Sequence, residues 1–483
     1  MHLFIIGVLI IIVGYIFYSK LIEKLFGVDV NRKTCAYTKE DGIDYVPMKP
    51  WRMFLIQLLN IAGLGPIFGA IQGALFGPAA FIWIAFGTVF AGAVHDFFSG
   101  MISARHDGAS MPEITGSYLG NGAKIFMRVV ATILLLLTGT VFMQGPAGIL
   151  AGLADIGMMG LKSADVWLII IFIYYFVATI LPVDKIIGKI YPIFGAALLI
   201  MAIGVGGGML FKGNALPAMT LKSLHPNKLP IWAIMFTTIA CGAISGFHST
   251  QSPIMARCLP NEKYGRPIFY GAMAAEGIIA MIWATAGMVF YGEGLEGIAI
   301  LGTKLLGEGA IGPAGVVKEI SFQLMGAIGG LLAVLGVVAA PITSGDTAFR
   351  SVRLQIADAI GYDQKPNKNR LVIAIPIFVL AFVLTRIDFN VIWRYFAFTN
   401  QLLATVSLWT ASAFLATKNK NHWFTSIPAI FMNFVIFTYI LQAKEGFQLA
   451  TSIAYPVGAV IAVVVAVILL KVVTDKKKKA ETI

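Results

Sequence analysis

Charge is scarce in this chain, and the scarcity excludes an ordinary soluble fold. Asp, Glu, Lys and Arg make up 12% of the 483 residues, half the share of about 25% that keeps a globular surface wet. Cysteine is scarcer still. Cys35, Cys241 and Cys258 form no spaced pattern, which argues against a disulfide framework or a cysteine-built metal site. The catalytic motifs are missing as well. No G-x-x-x-x-G-K-[ST] loop is present to cradle a nucleotide, so any work the chain does draws on an ion gradient rather than on ATP. No H-E-x-x-H, nucleophile elbow or paired-carboxylate motif supports an enzyme.

What the chain does have is apolar length. Hydrophobic residues make up 58% of it and the mean hydropathy is +0.83. Apolar runs of roughly 17 to 30 residues recur from end to end, each able to cross about 30 Å of hydrocarbon. They predict an all-α polytopic membrane protein of about thirteen transmembrane helices. The first, at 3–19, has no basic residue before it and YSKLIEKLF after it, so it is expected to stay as a span rather than to be cleaved. With the N-terminus outside, 27 Lys and Arg fall in loops on the cytoplasmic side and eight on the outer side. That bias follows the positive-inside rule, and it explains the net charge of +12 without a nucleic-acid partner. The tail KVVTDKKKKAETI reads as a cytoplasmic anchor near acidic lipid.

Two spans are unlike the rest. NIAGLGPIFGAIQG, residues 60–73, has four glycines and a proline, and CGAISGFHSTQSP, residues 241–253, is again glycine-rich and closed by proline. Five spans separate each from the start of the next block. An odd number per unit means that the second unit sits inverted, the pattern of inverted repeats whose first helices are discontinuous. The expected organisation is a lead helix and loop (1–50), a first five-helix repeat (51–212), a second, inverted repeat (229–416), and two further helices with a basic tail (417–483).

A broken membrane helix strands backbone groups that lipid cannot satisfy, so a break belongs where protein or a wet cavity satisfies them. The N-terminus of the restarted half-helix favours an anion, and Pro66 suits its first turn, where no N–H is needed. These considerations make Asn60, Gly63, Gly65, Pro66 and Gly69 substrate-binding candidates, with Gly246, His248, Ser249, Thr250 and Gln251 at the second break. The bland alternative is that the glycines only permit close helix packing.

Ionisable residues inside spans are costly and are functional candidates by default. His95 and Asp96 are either a proton-handling pair or a structural helix end. A second pair, His106–Asp107, raises a metal reading that the spacing does not support. Glu276 is either a coupling-proton carrier or a buried partner of a polar neighbour. Thr343, Ser344 and Thr347 offer hydroxyl oxygens beside Asp346, a set suited to Na⁺, while Asp346 paired with Arg350 at i+4 is the structural alternative.

Residues 60–100, with SARHDGASMPEI, GAISGFHSTQSPIMARC and PITSGDTAFRSVRLQIAD, closely resemble the carbon starvation protein A (CstA) family. The resemblance implies a multi-pass transporter of the bacterial cytoplasmic membrane with two inverted five-helix repeats, of the amino acid–polyamine–cation superfamily. Its substrates are peptides or small carboxylates such as pyruvate, and it needs no cofactor. H⁺ and Na⁺ both stand as coupling ions. By analogy a Na⁺ site uses carbonyls near Ala62 and Leu64 with Thr343, Ser344 or Thr347, whereas proton-coupled relatives leave Lys189 and Asp346 as candidates. A large external loop is expected at 292–320. A membrane-embedded sensor or enzyme without net transport is the competing class.

Overall fold

The computed structural model describes residues 1–42, 44–154, 163–180, 183–364 and 366–481. They fold into helices α1 His2–Phe26, α2 Pro50–Ile61, α3 Gly65–Phe76 and α4 Ala79–Arg105. Then come α5 Met111–Leu119, α6 Asn121–Ala154, α7 Ala164–Ile180, α8 Val183–Lys212 and α9 His248–Ala256. The second half holds α10 Glu262–Val289, α11 Gly294–Leu306, α12 Gly312–Ile360 and α13 Asn367–Leu384. It ends with α14 Phe389–Thr417, α15 Trp423–Gln442 and α16 Thr451–Glu481.

Among the described residues nine helices are long and apolar enough to span a bilayer, ten if the bent pair α2–α3 counts as one. Three expected spans fall outside that number. Helix α7 is a shorter apolar helix, α14 is studded with polar residues, and the segment from 231 to 256 is broken.

The first break is short. Helix α2 stops at Ile61 and Ala62 leaves helical geometry at φ −79°, ψ 55°. The chain restarts at Gly65 with Pro66 in the first turn, and the two halves bend by 56°. The second break is longer. A few helical residues end at Thr238, residues 239–247 carry no helix, and α9 begins at His248.

The breaks cross. A Cβ placed on Gly65 would sit 2.1 Å from Cys241 Cβ, and one on Gly73 would sit 2.2 Å from Ile239 Cγ1. Only glycine lets the two chains approach so closely. Helix α10 packs against α2 and α3, and α12 packs against α6, α8 and α2. Helices α14, α15 and α16 pack together beside α6.

Two helices run further than composition suggested. The polar stretch after residue 347 is helix as far as Ile360, because its basic groups are tied down. Arg350 Nη2 donates to Ala178 O at 2.6 Å and Arg353 Nη1 to Gln364 Oε1 at 2.5 Å. Gly361 then ends the helix in the left-handed region at φ 66°, the usual glycine stop. Residues 292–320 contain α11 and the start of α12, whose axis turns at Gly326 (φ 69°). The expected external loop is therefore largely helical.

The loop at 27–49 lies against the link between α9 and α10. Thr34 Oγ1 donates to Leu259 O at 2.5 Å and Met48 N to Cys258 O at 3.2 Å. Glu262 draws Arg105, Arg32 and the Asp29 amide to one buried carboxylate.

Candidate functional site

Four ionisable side chains from three helices meet in the interior. His95 and Asp96 come from α4, His248 from the first turn of α9, and Glu276 from the middle of α10. All four are at most 1% exposed. Asp96 bridges the two imidazoles, with His95 Nδ1 2.7 Å from one carboxylate oxygen and His248 Nδ1 2.8 Å from the other. On its far side His248 Nε2 lies 3.3 Å from Glu276 Oε2. That contact is an ion pair not aligned as a hydrogen bond, and no described group hydrogen-bonds the Glu276 oxygens or His95 Nε2.

This geometry limits the protons it can hold. A carboxylate only accepts, so both Nδ1 atoms carry N–H toward Asp96. His248 Nε2 then faces Glu276 with one proton between them, carried by the imidazole or by the carboxyl group. Removing that proton leaves a lone pair facing a carboxylate in a dry interior, a costly arrangement. The chain His95–Asp96–His248–Glu276 therefore has one proton, between His248 and Glu276, whose position can shift. Among the described residues no group of three or more His, Cys, Asp or Glu could hold a metal ion.

The other sequence candidates divide. Gly65 fits against Cys241, Gly63 against the Phe142 ring, Gly69 against Thr238 O and Gly246 against Asn400 O, so all four glycines serve close packing here. Pro66 opens α3 as the sequence suggested, and Leu64 O accepts the amides of Ile67 and Phe68 at 3.2 and 2.7 Å. Ser249 and Thr250 donate to Gly246 O and Phe247 O, both at 2.7 Å, and close the first turn of α9. Asn60 Oδ1, Gln57 Oε1 and Gln251 Oε1 are buried without a hydrogen-bond partner among the described residues. Gln57 Nε2 reaches Ser252 Oγ at 3.3 Å, so these amides cluster where α2 meets α9. An amide can present N–H or C=O to a ligand.

On α12, Ser344 Oγ donates to Leu59 O at 2.8 Å, one turn before the break at Ala62. Thr343 Oγ1 donates to Ala340 O at 2.8 Å and Thr347 Oγ1 to Ser344 O at 2.9 Å. Of these hydroxyls, Ser344 adjoins the first break. Asp346 stands 3.8 Å from Arg350, the pairing set out as the structural alternative. His106 Nε2 meets the Tyr118 hydroxyl at 2.9 Å and its Nδ1 the Ile102 carbonyl at 2.8 Å, apart from the buried chain. Lys189 belongs to α8, and its side chain lies outside the described residues.

Asn400 of α14 is a clamp. Its Oδ1 accepts Phe247 N at 2.7 Å and Ser245 Oγ at 3.1 Å, and its backbone oxygen accepts Gly246 N at 3.0 Å. It thus satisfies the second break where helix bonds are missing. A polar residue deep in a span was the only sequence signal for it.

A cavity of about 340 Å³ opens on the face that carries residues 213–230 and 443–450 and ends on Gln72, Thr238 and Trp393. Trp393 packs on Phe68 of α3 with ring centroids 5.9 Å apart. From it Phe396, Phe142 and Phe247 lead to His248 in steps of 5.4 to 6.5 Å. Aromatic packing thus separates the cavity from the buried chain.

Comparisons with known proteins agree with this architecture. The chain is 45% identical over 332 residues to an uncharacterized membrane protein of Haemophilus influenzae, covering 59% of this chain and 90% of that one. It is 24% identical to the peptide transporter CstA of Campylobacter jejuni, covering 94% of this chain and 82% of the relative. It is 27% identical to the pyruvate/proton symporter BtsT of Escherichia coli, covering 59% of this chain and 48% of that protein. Among solved structures, MhsT in complex with L-phenylalanine superposes with a TM-score of 0.56 at 12% identity, covering 88% of this chain and 99% of that one. A mutant of the manganese transporter of Eremococcus coleocola gives 0.54 at 10% identity, covering 92% and 99%. These two share the fold, an all-helical membrane bundle with interrupted helices at its centre. The family model described as Carbon starvation protein CstA matches residues 1–154, 147–295 and 301–439, and on that match the chain belongs to the CstA family.

Proposed function

We propose that the chain is a secondary active importer of peptides or small carboxylates such as pyruvate, driven by protons through the His95–Asp96–His248–Glu276 chain. The N-terminus lies outside and the basic tail in the cytoplasm, across the bacterial cytoplasmic membrane. The single observation that carries the proton reading is His248 Nε2 at 3.3 Å from Glu276 Oε2, with its other ring nitrogen on Asp96. With both nitrogens engaged, we assign His248 to proton transfer and leave substrate contact to the amides of Gln57 and Asn60 on α2 and of Gln251 on α9.

The coupling follows from position. His248 opens the half-helix that follows the second break, so any rearrangement of that break moves its ring relative to α4 and α10. Substrate held by the amides where α2 meets α9 favours one arrangement of the breaks, and the shared proton favours one arrangement of His248 and Glu276. Alternating access about a midplane site then moves both together. A Na⁺ reading draws support from Ser344 on Leu59 O beside Ala62, and it predicts sodium-dependent uptake.

The test uses proteoliposomes loaded with a pH-reporting dye. Adding pyruvate or a dipeptide to the side that imports it should acidify the lumen, and His248→Gln should abolish the acidification. Substrate entry without a lumenal pH change overturns the proton reading.

A further inference from the structure

The cavity above Trp393 is separate from the buried proton chain and takes no part in the mechanism above. Its lining includes Gln72, His225, Trp393, Arg394, Lys444 and Glu445, and the charge on that wall is unbalanced. The Glu445 side chain, 1% exposed, accepts Arg394 Nε at 3.1 Å and also the Tyr439 hydroxyl. Its one negative charge is therefore already engaged from two directions. Arg394 meets Glu445 only through Nε, so its two Nη groups have no partner among the described residues. Lys444 Nζ has no acid partner among them either. His225 Nδ1 accepts the Asn227 amide at 3.1 Å, which puts the ring proton of the neutral tautomer on Nε2 as a further donor. The wall thus offers a guanidinium fork, an ammonium and an imidazole N–H against one neutralised acid.

We propose that this cavity is a loading site for a substrate carboxylate, held by the free fork of Arg394 and steered by Lys444, before Trp393 moves to admit it to the broken helices. Planar, paired N–H donors match the two oxygens of a carboxylate, which a lysine cannot reproduce. The volume suits a small ligand, since small-molecule sites begin near about 300 Å³. A keto acid and the C-terminus of a short peptide present the same two oxygens. The inference rests on the transport reading for its role, but the binding it predicts does not.

The experiment measures equilibrium binding to the purified full-length protein by calorimetry. One arm compares pyruvate with methyl pyruvate, and the other compares dialanine with its C-terminal amide. Arg394→Lys keeps a cation beside Glu445 but loses the fork, and Lys444→Gln changes only the exposed rim. The expected result is a loss of about tenfold or more in carboxylate affinity for Arg394→Lys and a smaller loss for Lys444→Gln. The neutral ester and amide should bind equally to all three proteins. Loss in the pyruvate arm alone assigns the site to keto acids, and loss in the dialanine arm alone assigns it to peptides. Unchanged carboxylate affinity in Arg394→Lys, or an equal loss for the neutral analogues, overturns the proposal. If wild-type vesicles accumulate nothing yet binding still depends on Arg394, the transport reading fails and this site stands. If uptake proceeds with an unchanged apparent KM in Arg394→Lys, the loading site fails and the transport reading stands.

Discussion

Glu276→Gln is the substitution that most sharply separates coupling from transport. Glutamine keeps the volume and can still place an N–H or a C=O near His248 Nε2, but it cannot take the proton. Stability should therefore fall by less than the about 3–5 kcal/mol that follows loss of one partner from a buried ion pair. Glu276→Ala, which leaves an unpaired imidazole and a cavity, should approach that figure. The effect on coupling is larger. One proton per monoanion moves no net charge, so only the pH gradient contributes, at about 1.4 kcal/mol or tenfold per unit. An imposed gradient of about two units should then support about hundredfold accumulation by the wild type. In Glu276→Gln the ratio should collapse to one, while counterflow between labelled and unlabelled substrate continues. The assay is paired uptake and counterflow in proteoliposomes, with circular dichroism melting of the same preparations. Accumulation well above one in Glu276→Gln would refute the assignment, because no titratable group would then remain opposite His248 Nε2.

Four further outcomes follow from the geometry. Gly65→Ala should impair folding or insertion, since its Cβ would fall 2.1 Å from Cys241 Cβ, and Cys241→Gly should restore yield in size-exclusion profiles. Asp346→Asn should lower the melting temperature, at a cost of about 1–3 kcal/mol, yet leave gradient-driven accumulation intact. Loss of accumulation in a stable Asp346→Asn protein would return Asp346 to the coupling scheme. Asn400→Ala should lower both stability and uptake, because groups of the second break lose their side-chain acceptor, whereas a packing-only role would spare uptake. Burial pushes the His225 imidazole down to about 4, so the unfolded chain binds its proton more readily than the folded one. Stability from this group is present above the ordinary histidine range near 6.5 and declines as pH falls from there toward about 4. His225→Gln should flatten that part of the melting profile, and an unchanged profile would show that His225 does not govern it.

The parts of the molecule legible in the sequence were those written locally. Glycine and proline inside apolar runs mark both breaks, the glycines because the crossing chains leave no room for a Cβ, and Pro66 sits where its missing N–H is harmless. His95, Asp96, His248 and Glu276 were each visible as ionisable groups in apolar surroundings. Their union was not, since His248 lies 152 positions from Asp96 and only the crossing of α9 with α4 and α10 brings them together. The glycines near the breaks pack closely against neighbouring groups, and sequence alone does not separate that role from ligand approach, because both require the same residue. Residues 348–360 do not read as membrane helix, because five basic residues fall between 350 and 370, and the carbonyl on α7 that receives Arg350 is invisible from sequence. The wall around Arg394 draws on α3, the 213–230 loop, α14 and the residues after α15, and no local pattern joins them.

The central claim, that a proton held between His248 and Glu276 drives import, is tested most directly by uptake under one ion gradient at a time. Proteoliposomes receive labelled pyruvate or a labelled dipeptide under an inward pH gradient in sodium-free buffer, then under an inward sodium gradient at equal pH. The account predicts accumulation of one substrate under the pH gradient and mere equilibration under sodium. Accumulation that requires sodium and ignores pH would contradict it and move the coupling site to Ser344, Thr347 and the carbonyls at the first break.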